Sequence, residues 1–518
     1  MLVKTFASAV HGIDAQTITV EVNAGGIVPP GYNCYHLVGL PDSVVKEGFQ
    51  RIEAAVKNIG FRMPRLKIVV NLAPADLRKE GSAYDLPIAV GILAATGQIV
   101  APAMAEYMLM GEISLDGSLR PIKGALPIAI QARKEKFKGL LVPKQNAREA
   151  AIVSELPVYG IEHLRQAVDF LTGEEKLDPV RVNARDEFAN QTAWSTVDFA
   201  DVKGQENIKR SLEIAAAGGH NVILIGPPGA GKTMLARRLP TILPPLTLHE
   251  ALETTKIHSV AGKLPANSSL VSQRPFRAPH HTISDVALVG GGSNPAPGEI
   301  SLAHNGVLFL DELPEFKRTV LEVLRQPMEE RRVTISRARV AMDYPASFML
   351  VASMNPCPCG YYNHPEKDCV CGPAVIQRYL GKISGPLLDR IDLHVEVTPV
   401  SFEELSSFQR SPENSKDIAR RVIEARLIQA KRFETMPGIY SNAQMPSRLV
   451  REVCQLPKSG HTLLKTAMQK LQLSARAYDR ILKVARTAAD VSGSADIQIE
   501  HLAEAIHFRS LDRENWAG

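Results

Sequence analysis

A glycine-rich segment near the middle of the chain has the residue types that bind phosphate groups. Residues 226–233 are GPPGAGKT, which matches the pattern G-x-x-x-x-G-K-[ST] at every position. In this pattern the glycines let backbone N–H groups turn toward phosphate oxygens, the lysine reaches the terminal phosphates and the last hydroxyl can bind Mg²⁺. The sequence therefore predicts a site for ATP and Mg²⁺ formed by Gly226, Pro227, Pro228, Gly229, Ala230, Gly231, Lys232 and Thr233.

Three more polar residues follow apolar runs, as a nucleotide site requires. Asp311 and Glu312 come directly after the run VLFL, and Asn355 comes after a third apolar run. We predict that Asp311 holds the Mg²⁺ shell together with Thr233, that Glu312 polarises the attacking water, and that Asn355 orients it. An asparagine before a proline can also start a turn, which is the alternative for Asn355.

The elements that must position these residues can be predicted from periodicity. Continuous apolar runs at 222–225, 307–310 and 348–353 are typical of strands buried on both faces of a parallel sheet. Helical patterns dominate the chain after residue 401. The candidate helices there are 418–433, 447–453, 461–471, 475–491 and 499–508.

The amino-terminal third predicts a separate α/β domain. Residues 17–22 and 67–71 alternate like half-buried strands, whereas 44–58 and 85–96 have helical patterns. A chain of 518 residues is too long for one hydrophobic core. The predicted division is an α/β domain at 1–172, a polar linker at 173–195, a P-loop core with a parallel sheet at 196–400 and a helical lid at 401–518.

The composition and apolar runs of the chain argue against a membrane-spanning or secreted protein. The chain is 45% apolar and 22% charged, with a net charge of +5, which alone is too weak to indicate nucleic-acid binding. No apolar run approaches the roughly 20 residues that span a bilayer. Residues 1–10 lack the apolar core of a signal peptide. We therefore expect a cytoplasmic protein with no membrane segment.

Four cysteines are clustered in the spacing C-x-C-x9-C-x-C. They are Cys357, Cys359, Cys369 and Cys371. Four thiolates can complete a tetrahedral Zn²⁺ shell, and a reducing cytoplasm favours metal binding over disulfides. Because four protein ligands leave no open position, this zinc would be structural. His364 is an alternative ligand, and free reduced thiols are the alternative to a metal site.

A basic segment lies between the predicted carboxylate strand and Asn355. Residues 331–339 alternate as a β-hairpin with its tip near Arg337. This segment contains no acid and four arginines, which are Arg331, Arg332, Arg337 and Arg339. Such a cluster of positive side chains can track a phosphate backbone, and the alternative is a solvated hairpin on an outer face; the contact with DNA is what the family resemblance described below implies. The glycine-rich residues 286–298 are predicted to form a flexible loop.

Two adjacent histidines, His280 and His281, are further candidate metal ligands. Neighbouring residues on a strand point to opposite faces, so the pair is interpreted as structural or interfacial.

Together these motifs resemble the AAA+ superfamily, and in particular the ComM/YifB family of magnesium-chelatase-like proteins. The resemblance covers nearly the whole chain. It rests on GPPGAGKT at 226–233, RPFRAPHHTIS at 274–284, GEISLAHNGVLFLDELPEF at 298–316, MNPCPCG at 354–360, GPLLDRIDLHVEV at 385–397 and SARAYDRILKVARTAADV at 474–491.

This resemblance implies a hexameric ring whose ATP sites are shared between neighbours. It places Arg390 as the arginine finger and Arg476 as the second sensor arginine on the lid. It also places the basic hairpin and the loop 286–298 in the central channel. The alternatives are an ion pair of Arg390 with Asp389 or Asp392, and a surface salt bridge for Arg476.

The resemblance further implies a DNA helicase or translocase that promotes branch migration in recombination and in natural transformation. The implied partners are single-stranded and branched DNA and other copies of the chain, with other recombination proteins as further candidates. A metal-chelatase motor subunit is one rival.

The second rival is a Lon-like protease, because the first domain resembles the Lon-protease fold. Ala83 stands where that family has its nucleophile, with Ser82 one place early, and Leu126 stands where it has its lysine. We therefore expect no peptidase activity, although a one-residue shift of the alignment would reopen this question.

Overall fold

The computed structural model describes residues 1–29, 32, 34–190, 197–265, 268–292, 295–337, 340–364, 366–400 and 413–509. The chain forms two compact units. The first contains Met1–Thr192 and Thr247–Ser272, and the second contains Ala193–Leu246 and Gln273–Gly518.

The first unit is built on a seven-stranded mixed sheet. Its strands are β1 (Leu2–His11), β2 (Asp14–Ile27), β3 (Tyr35–Val38), β4 (Leu66–Ala73), β5 (Tyr107–Leu109), β8 (Gly139–Pro143) and β9 (Val158–Ile161), and a separate hairpin contains β6 (Glu112–Ile113) and β7 (Leu119–Arg120). The strand order is β3-β4-β2-β1-β5-β8-β9. The pairs β1–β2 and β2–β4 are antiparallel and the others are parallel. The predicted strands at 17–22 and 67–71 lie within β2 and β4.

Helices of the first unit confirm the predicted α/β character. They are Ser43–Asn58, Asp85–Ala95, Ala125–Lys134, Lys144–Ala150, Leu164–Thr172, Ala184–Asn190 and Leu248–Ala261. The Asp42 side chain accepts a hydrogen bond from the backbone N–H of Val45, which caps the first of these helices. Every residue of Asp85–Ala95 is buried, so this helix is central to the unit.

The structure divides the chain differently from the predicted boundaries. Glu187, inside the predicted linker, lies on a helix and pairs with Arg148 at 2.5 Å. The helix Leu248–Ala261, predicted to belong to the P-loop core, lies in the first unit, where its Ser259 hydroxyl donates to the buried carboxylate of Glu149. These contacts join residues far apart in the sequence, and local patterns carry no information about them.

The second unit contains a five-stranded parallel sheet. Its strands are β10 (Val222–Ile225), β11 (Phe276–Arg277), β14 (Val307–Leu310), β17 (Met349–Met354) and β18 (Leu393–Glu396), in the order β11-β14-β17-β10-β18. All residues of β10, β14 and β17 are buried, which confirms the prediction from their apolar runs. The register pairs Leu310 with Ala352 and Ile225 with Met354. The segments that follow these three strands therefore meet at one edge of the sheet.

Two hairpins and a set of short helices surround this sheet. The hairpins are β12 (Gly290–Gly291) with β13 (Ala296–Pro297), and β15 (Arg332–Arg337) with β16 (Val340–Pro345). The helices are Glu206–Gly218, Lys232–Arg238, Asp285–Val289, Glu299–Leu302, Arg318–Glu322, Arg325–Glu330, Pro373–Leu380 and Gly385–Leu388. Across the described ranges, no helix combines the length and the apolar character needed to cross a membrane.

The carboxyl-terminal region is helical, as predicted. Its helices are Ser415–Arg432, Ser447–Val453, Lys458–Lys470, Ala475–Val491 and Ile499–His507. Their buried side chains share one hydrophobic core with β10 and β14. The predicted lid and the P-loop core therefore form a single compact unit, the second unit.

Candidate nucleotide-binding site

The glycine-rich loop connects strand β10 to the helix Lys232–Arg238. Gly229 and Gly231 have φ angles of +77° and +86°, which favour glycine. A Cβ atom on Gly226 would lie 2.2 Å from the carbonyl oxygen of Val397. The backbone therefore requires glycine at these three positions, in a loop whose N–H groups can bind phosphate oxygens.

Lys232 folds back over the loop that precedes it. Its Nζ donates to the carbonyl oxygens of Gly226 at 2.6 Å and Pro227 at 2.9 Å, and to Asn355 Oδ1 at 3.1 Å. Burial lowers the pKa of the Lys232 ammonium, and the two carboxylates after β14 oppose this effect. The structure thus brings together the predicted phosphate ligand Lys232 and the predicted water-orienting residue Asn355.

Asp311 and Thr233 are also in direct contact. The Thr233 hydroxyl donates to Asp311 Oδ2 at 2.7 Å. Ser353, near the end of β17, donates its hydroxyl to the other Asp311 oxygen. A hydroxyl and a carboxylate are oxygen ligands of the kind that Mg²⁺ prefers, so this pair fits the ion that accompanies ATP.

Glu312 extends away from Asp311 into an open pocket. Its φ is +54° and its side chain is 58% exposed. Its backbone N–H donates to Asp311 Oδ1 at 3.1 Å, which fixes the turn between the two acids. The pocket is lined by Glu312, Glu315, Asn355, Pro358, Val375, Arg378, Tyr379 and Lys382. Glu312 and Asn355 therefore face one space that water can enter.

The two adjacent histidines lie beside Glu312, which the sequence did not indicate. His281 Nδ1 is 3.7 Å from Glu312 Oε2. The rings of His280 and His281 are tilted against each other with centroids 4.1 Å apart. The prediction that they point to opposite faces of a strand was wrong, because the strand β11 ends at Arg277 and the histidines follow in a turn.

The two arginines assigned by family resemblance form ion pairs within the chain. Arg390 is buried; its Nη2 lies 2.8 Å from Glu329 Oε1 and its Nη1 donates to Pro386 O at 2.6 Å. Arg476 is 62% exposed at the start of the helix Ala475–Val491, and its Nη1 is 3.7 Å from Asp389 Oδ2. Neither arginine reaches the nucleotide ligands of its own chain by any described contact.

The cysteine cluster has the dimensions of a zinc site. The Sγ–Sγ distances are 3.3 Å for Cys357–Cys359, 3.7 Å for Cys357–Cys369 and 3.6 Å for Cys359–Cys369. The fourth sulfur, of Cys371, lies within 4.8 Å of the others. A tetrahedral site with Zn–S distances of about 2.3 Å has S–S separations of about 3.8 Å. The four thiols therefore fit a structural zinc.

The cysteine loop also lies against the phosphate-binding loop. A Cβ atom on Gly360, which has a φ of +85°, would be 2.4 Å from Pro228 Cδ. The cysteine cluster and the nucleotide site are therefore in direct contact inside the second unit.

The predicted basic hairpin is present as β15 and β16. Arg337 pairs with Val340 at its outer end, and Arg339 lies outside the described residues. Arg332 is 59% exposed and lies 3.6 Å from Glu330. Arg331 differs from the prediction, because it lies at the base of the hairpin, where burial lowers the pKa of its guanidinium to about 10. The structure therefore does not bring Arg331 onto the exposed part of the hairpin.

The predicted loop 286–298 contains more regular structure than its composition indicated. The helix Asp285–Val289 leads into the small hairpin of β12 and β13, whose residues 293–294 lie outside the described residues. A Cβ atom on Gly290 would lie 2.5 Å from Ala296 O, so the close approach of the two strands requires glycine there.

Among the described residues of the first unit, the positions that correspond to the Lon nucleophile and lysine form no serine–lysine pair. The Ser82 hydroxyl donates to Glu112. Leu126 is fully buried, and its backbone N–H donates to Glu149 at 3.1 Å. Ala83 has no nucleophilic group, and the described contacts give Ser82 a carboxylate partner instead of a lysine.

Sequence reasoning missed two residues of the nucleotide site. Ser353 binds Asp311, and the one signal for it was a hydroxyl at the end of an otherwise apolar strand. His281 lies beside Glu312 through a tertiary contact that no spacing rule predicts.

Family models match three parts of the chain. The model described as "Magnesium chelatase, subunit ChlI" matches residues 198–405. The model "Subunit ChlI of Mg-chelatase" matches residues 20–146, and "Magnesium chelatase, subunit ChlI C-terminal" matches residues 412–509.

Individual relatives cover almost the full length. The chain is 44% identical over 508 residues to the competence protein ComM of Haemophilus influenzae, covering 98% of this chain and 97% of that protein. It is 45% identical over 509 residues to the protein YifB of Salmonella typhimurium, covering 98% and 96%. It is 30% identical over 154 residues to Lon protease 2 of Bacillus subtilis, covering 27% and 26%. The chain belongs to the ComM/YifB family of magnesium-chelatase-like AAA+ ATPases.

Proposed function

We propose that this chain is the subunit of a hexameric, ATP-driven DNA helicase or translocase that promotes branch migration in recombination, including the integration of DNA taken up in natural transformation. The observation that carries the proposal is the position of the basic hairpin. The hairpin lies in the connection between β14, the strand that precedes Asp311, and β17, the strand that precedes Asn355. The name of the relative ComM, a competence protein, supports a role with DNA.

ATP hydrolysis is the motor reaction in this proposal. Lys232 binds the terminal phosphates, Glu312 accepts a proton from the attacking water, and Asn355 orients that water. Mg²⁺ bound with ATP would be held by Thr233 and Asp311, where it neutralises phosphate charge. The support is their contact at 2.7 Å and the shared pocket of Glu312 and Asn355.

DNA binding is assigned to the exposed part of the hairpin. Arg332 is exposed, and Arg337 and Arg339 of the same segment are proposed to add the positive charge that attracts a phosphate backbone independently of base sequence. Because β16 leads directly to β17, a shift of Asn355 during hydrolysis can be passed along the chain to the hairpin.

A ring would complete the site through Arg390 from a neighbouring subunit, with Arg476 as the second sensor arginine. An arginine finger stabilises charge that develops on the transferred phosphoryl group. Within the described residues, the Nε atom of Arg390 is buried without a hydrogen-bond partner, which supports an arrangement that changes when a neighbour binds.

The cysteine cluster is proposed to hold one structural Zn²⁺. Cys357, Cys359, Cys369 and Cys371 would be its ligands, because their four sulfur atoms converge within 4.8 Å of one another. This zinc would fix the loop that touches Pro228 and follows Asn355.

The deciding experiment is unwinding of a labelled three- or four-strand DNA junction by the purified protein with ATP. We expect strand exchange with the wild-type chain and none with Glu312→Gln or without ATP. Wild-type protein that hydrolyses ATP but leaves the junction intact, with a hydrolysis rate unaffected by DNA, would contradict the proposal.

A metal-chelatase motor is the second candidate, because the matching family models describe magnesium chelatase subunits. DNA would not stimulate the ATPase of such a motor. The ATPase rate with and without DNA therefore separates the two candidates.

A further inference from the structure

Asp392 is a buried carboxylate that the proposed hydrolysis reaction does not use. It directly precedes β18, and its side chain is 1% exposed. Its Oδ1 lies 2.5 Å from Arg480 Nη1. Its Oδ2 accepts the backbone N–H of Asn221 at 3.2 Å and lies 3.3 Å from His220 Nδ1. Burial would raise the pKa of Asp392, but Arg480 and His220 hold it well below its usual range.

These partners belong to two different parts of the second unit. Arg480 is on the helix Ala475–Val491, one turn after Arg476. His220 and Asn221 directly precede β10, the strand that leads to the phosphate-binding loop. His220 Nε2 also lies 2.8 Å from Thr487 Oγ1, on the same helix as Arg480. Asp392 therefore connects this helix to the nucleotide-binding strand.

Further hydrogen bonds of Asn221 fix the backbone at Arg390, two residues before Asp392. Asn221 Nδ2 donates to Arg390 O at 3.2 Å, and Asn221 Oδ1 accepts from Leu350 N in β17 at 2.8 Å. The backbone N–H of Asp392 donates to Asn221 O at 3.0 Å. The short segment 389–392 is thus tied to the two strands that precede the phosphate-binding loop and Asn355.

Residues at the base of the basic hairpin also interact with this segment. Glu329 binds the Arg390 guanidinium at 2.8 Å. Burial lowers the pKa of Arg331 to about 10, and the charge of Asp392 opposes this. One carboxylate therefore faces cations from both the hairpin base and the helix Ala475–Val491.

We infer that Asp392 is a positioning residue for Arg390: its ion pair with Arg480 holds the segment 389–392 so that the Arg390 guanidinium can reach a neighbouring ATP site. The inference rests on the proposed role of Arg390 as the arginine finger. Asp392 itself does not contact ATP in this scheme.

The first test is the substitution Asp392→Asn, which keeps the shape and removes the charge. We expect an unchanged KM for ATP and a kcat about 10-fold lower, the size of effect found for residues that couple sites. In the Arg390→Ala background the same substitution should lower kcat no further, because a residue that acts through Arg390 has nothing left to position. An equal additional loss in that background would overturn the inference.

Loss of folding stability must be separated from loss of positioning. Asp392→Asn leaves buried cations uncompensated and should lower Tm. The double variant Asp392→Asn/Arg480→Gln removes one of those cations and should recover part of the Tm while kcat stays low. Recovery of kcat together with Tm would show that Asp392 is only structural.

Asp490 offers a matched control in the same unit. Its side chain is 0% exposed and binds Arg432 at 2.6 Å and Arg486 at 3.1 Å, all on carboxyl-terminal helices. Asp490→Asn should lower Tm and leave kcat unchanged. A kcat loss equal to that of Asp392→Asn would overturn the inference.

The failure of this inference and of the proposed function can be told apart. If wild-type protein does not unwind a junction, the proposed function fails, but the comparison of basal kcat between the Asp392 and Asp490 variants remains decisive for positioning. If Arg390→Ala has normal kcat, the finger role fails and the inference fails with it. If the wild type unwinds DNA, Arg390→Ala is slow and Asp392→Asn has normal kcat, the inference alone fails.

Discussion

Single residues in the nucleotide site bind one another as well as the ligand they are proposed to hold. Lys232 donates to Asn355, and Thr233 donates to Asp311. These hydrogen bonds hold side chains from three separate segments in place and reduce the conformational freedom lost on binding ATP. Glu312 is the exception, because its exposed carboxylate projects into the pocket. Substitution of Lys232 should therefore affect ATP binding, whereas substitution of Glu312 should affect hydrolysis.

Substitutions of Lys232 and of Glu312 should separate ATP binding from ATP hydrolysis. Lys232→Ala removes a positive charge from the phosphates, so we expect weak binding of a fluorescent ATP analogue and no hydrolysis. Glu312→Gln should bind the analogue normally and hydrolyse ATP on the order of 10²–10⁴-fold more slowly, because the general base is lost. Fluorescence titration and phosphate release measure the two effects.

Glu322→Gln is a suitable control for this comparison. Glu322 pairs with Arg325 at 2.6 Å and is not among the residues that line the pocket. Its variant should hydrolyse ATP at the normal rate. A normal rate for Glu312→Gln would show that another group activates the water.

At the scale of elements, the basic hairpin and the glycine-rich segment before it are packed together. Tyr344 in β16 donates its hydroxyl to Pro295 O at 2.9 Å. A Cβ atom on Gly290 would lie 2.9 Å from Ile335 Cδ1 in β15. The two elements that the family resemblance places in the central channel are therefore in contact, so they should move together during hydrolysis.

The outer end of the hairpin should determine DNA affinity. We expect the double variant Arg337→Ala/Arg339→Ala to bind single-stranded DNA more weakly, irrespective of base sequence. The slope of log K against log salt should fall by about 0.7 for each lost phosphate contact. Basal ATP hydrolysis should be unchanged, whereas DNA-stimulated hydrolysis and unwinding should fall together. Fluorescence anisotropy over a range of salt concentrations measures the affinity.

A charge-matched control for the hairpin is Arg448→Ala/Arg451→Ala. Both arginines are exposed on the helix Ser447–Val453. This control should keep the wild-type affinity and salt slope. If the hairpin variant unwinds a junction at the normal rate, the hairpin is not the translocating element, and residues 286–298 become the next candidate.

The cysteine loop should carry about one zinc per chain when the protein is purified under reducing conditions without chelators. Elemental analysis tests this directly. Cys359→Ser should lower the zinc content, because a closed site loses one of four ligands. Cys34→Ser and Cys454→Ser are controls, since neither residue belongs to the cluster. Absence of zinc from the wild-type protein would contradict the site.

At the scale of the whole molecule, the proposed ATPase needs more than one chain. Arg390 is held by Glu329 inside its own chain and reaches no nucleotide ligand there by any described contact. A finger role therefore requires a neighbour whose binding replaces the contact with Glu329. This requirement predicts that two defective chains can complement each other.

Mixing Arg390→Ala chains with Lys232→Ala chains should restore part of the ATPase rate. The Arg390→Ala chain keeps an intact nucleotide site and the Lys232→Ala chain keeps an intact finger, so some interfaces in a mixed ring would be complete. Differently tagged chains and co-purification would establish that mixed rings form. Mixed rings without any recovered activity would argue against a finger supplied by the neighbour.

The sequence by itself determined the chemistry of the nucleotide site. The run 226–233, the acids Asp311 and Glu312, and the apolar strands before them were all predicted from local patterns. The strands are buried as predicted, and Thr233 contacts Asp311, whereas the roles of these residues in ATP hydrolysis stay a prediction. These features are predictable because glycine geometry, strand burial and ligand chemistry act over a few neighbouring residues. The cysteine spacing was equally local, and the four thiols do converge.

Only the tertiary structure decided which distant residues meet. The helix Leu248–Ala261 joined the first unit through Glu149, which lies more than a hundred positions earlier. The ion pair of Asp392 with Arg480 and the contact of His281 with Glu312 are likewise contacts between separate segments. Such contacts depend on which faces of the folded elements are buried against each other, and the periodicity of one segment does not encode its partner. Sequence patterns therefore predicted the candidate nucleotide ligands, whereas the fold decided how the basic hairpin, the segment 389–392 and the carboxyl-terminal helices are connected to them.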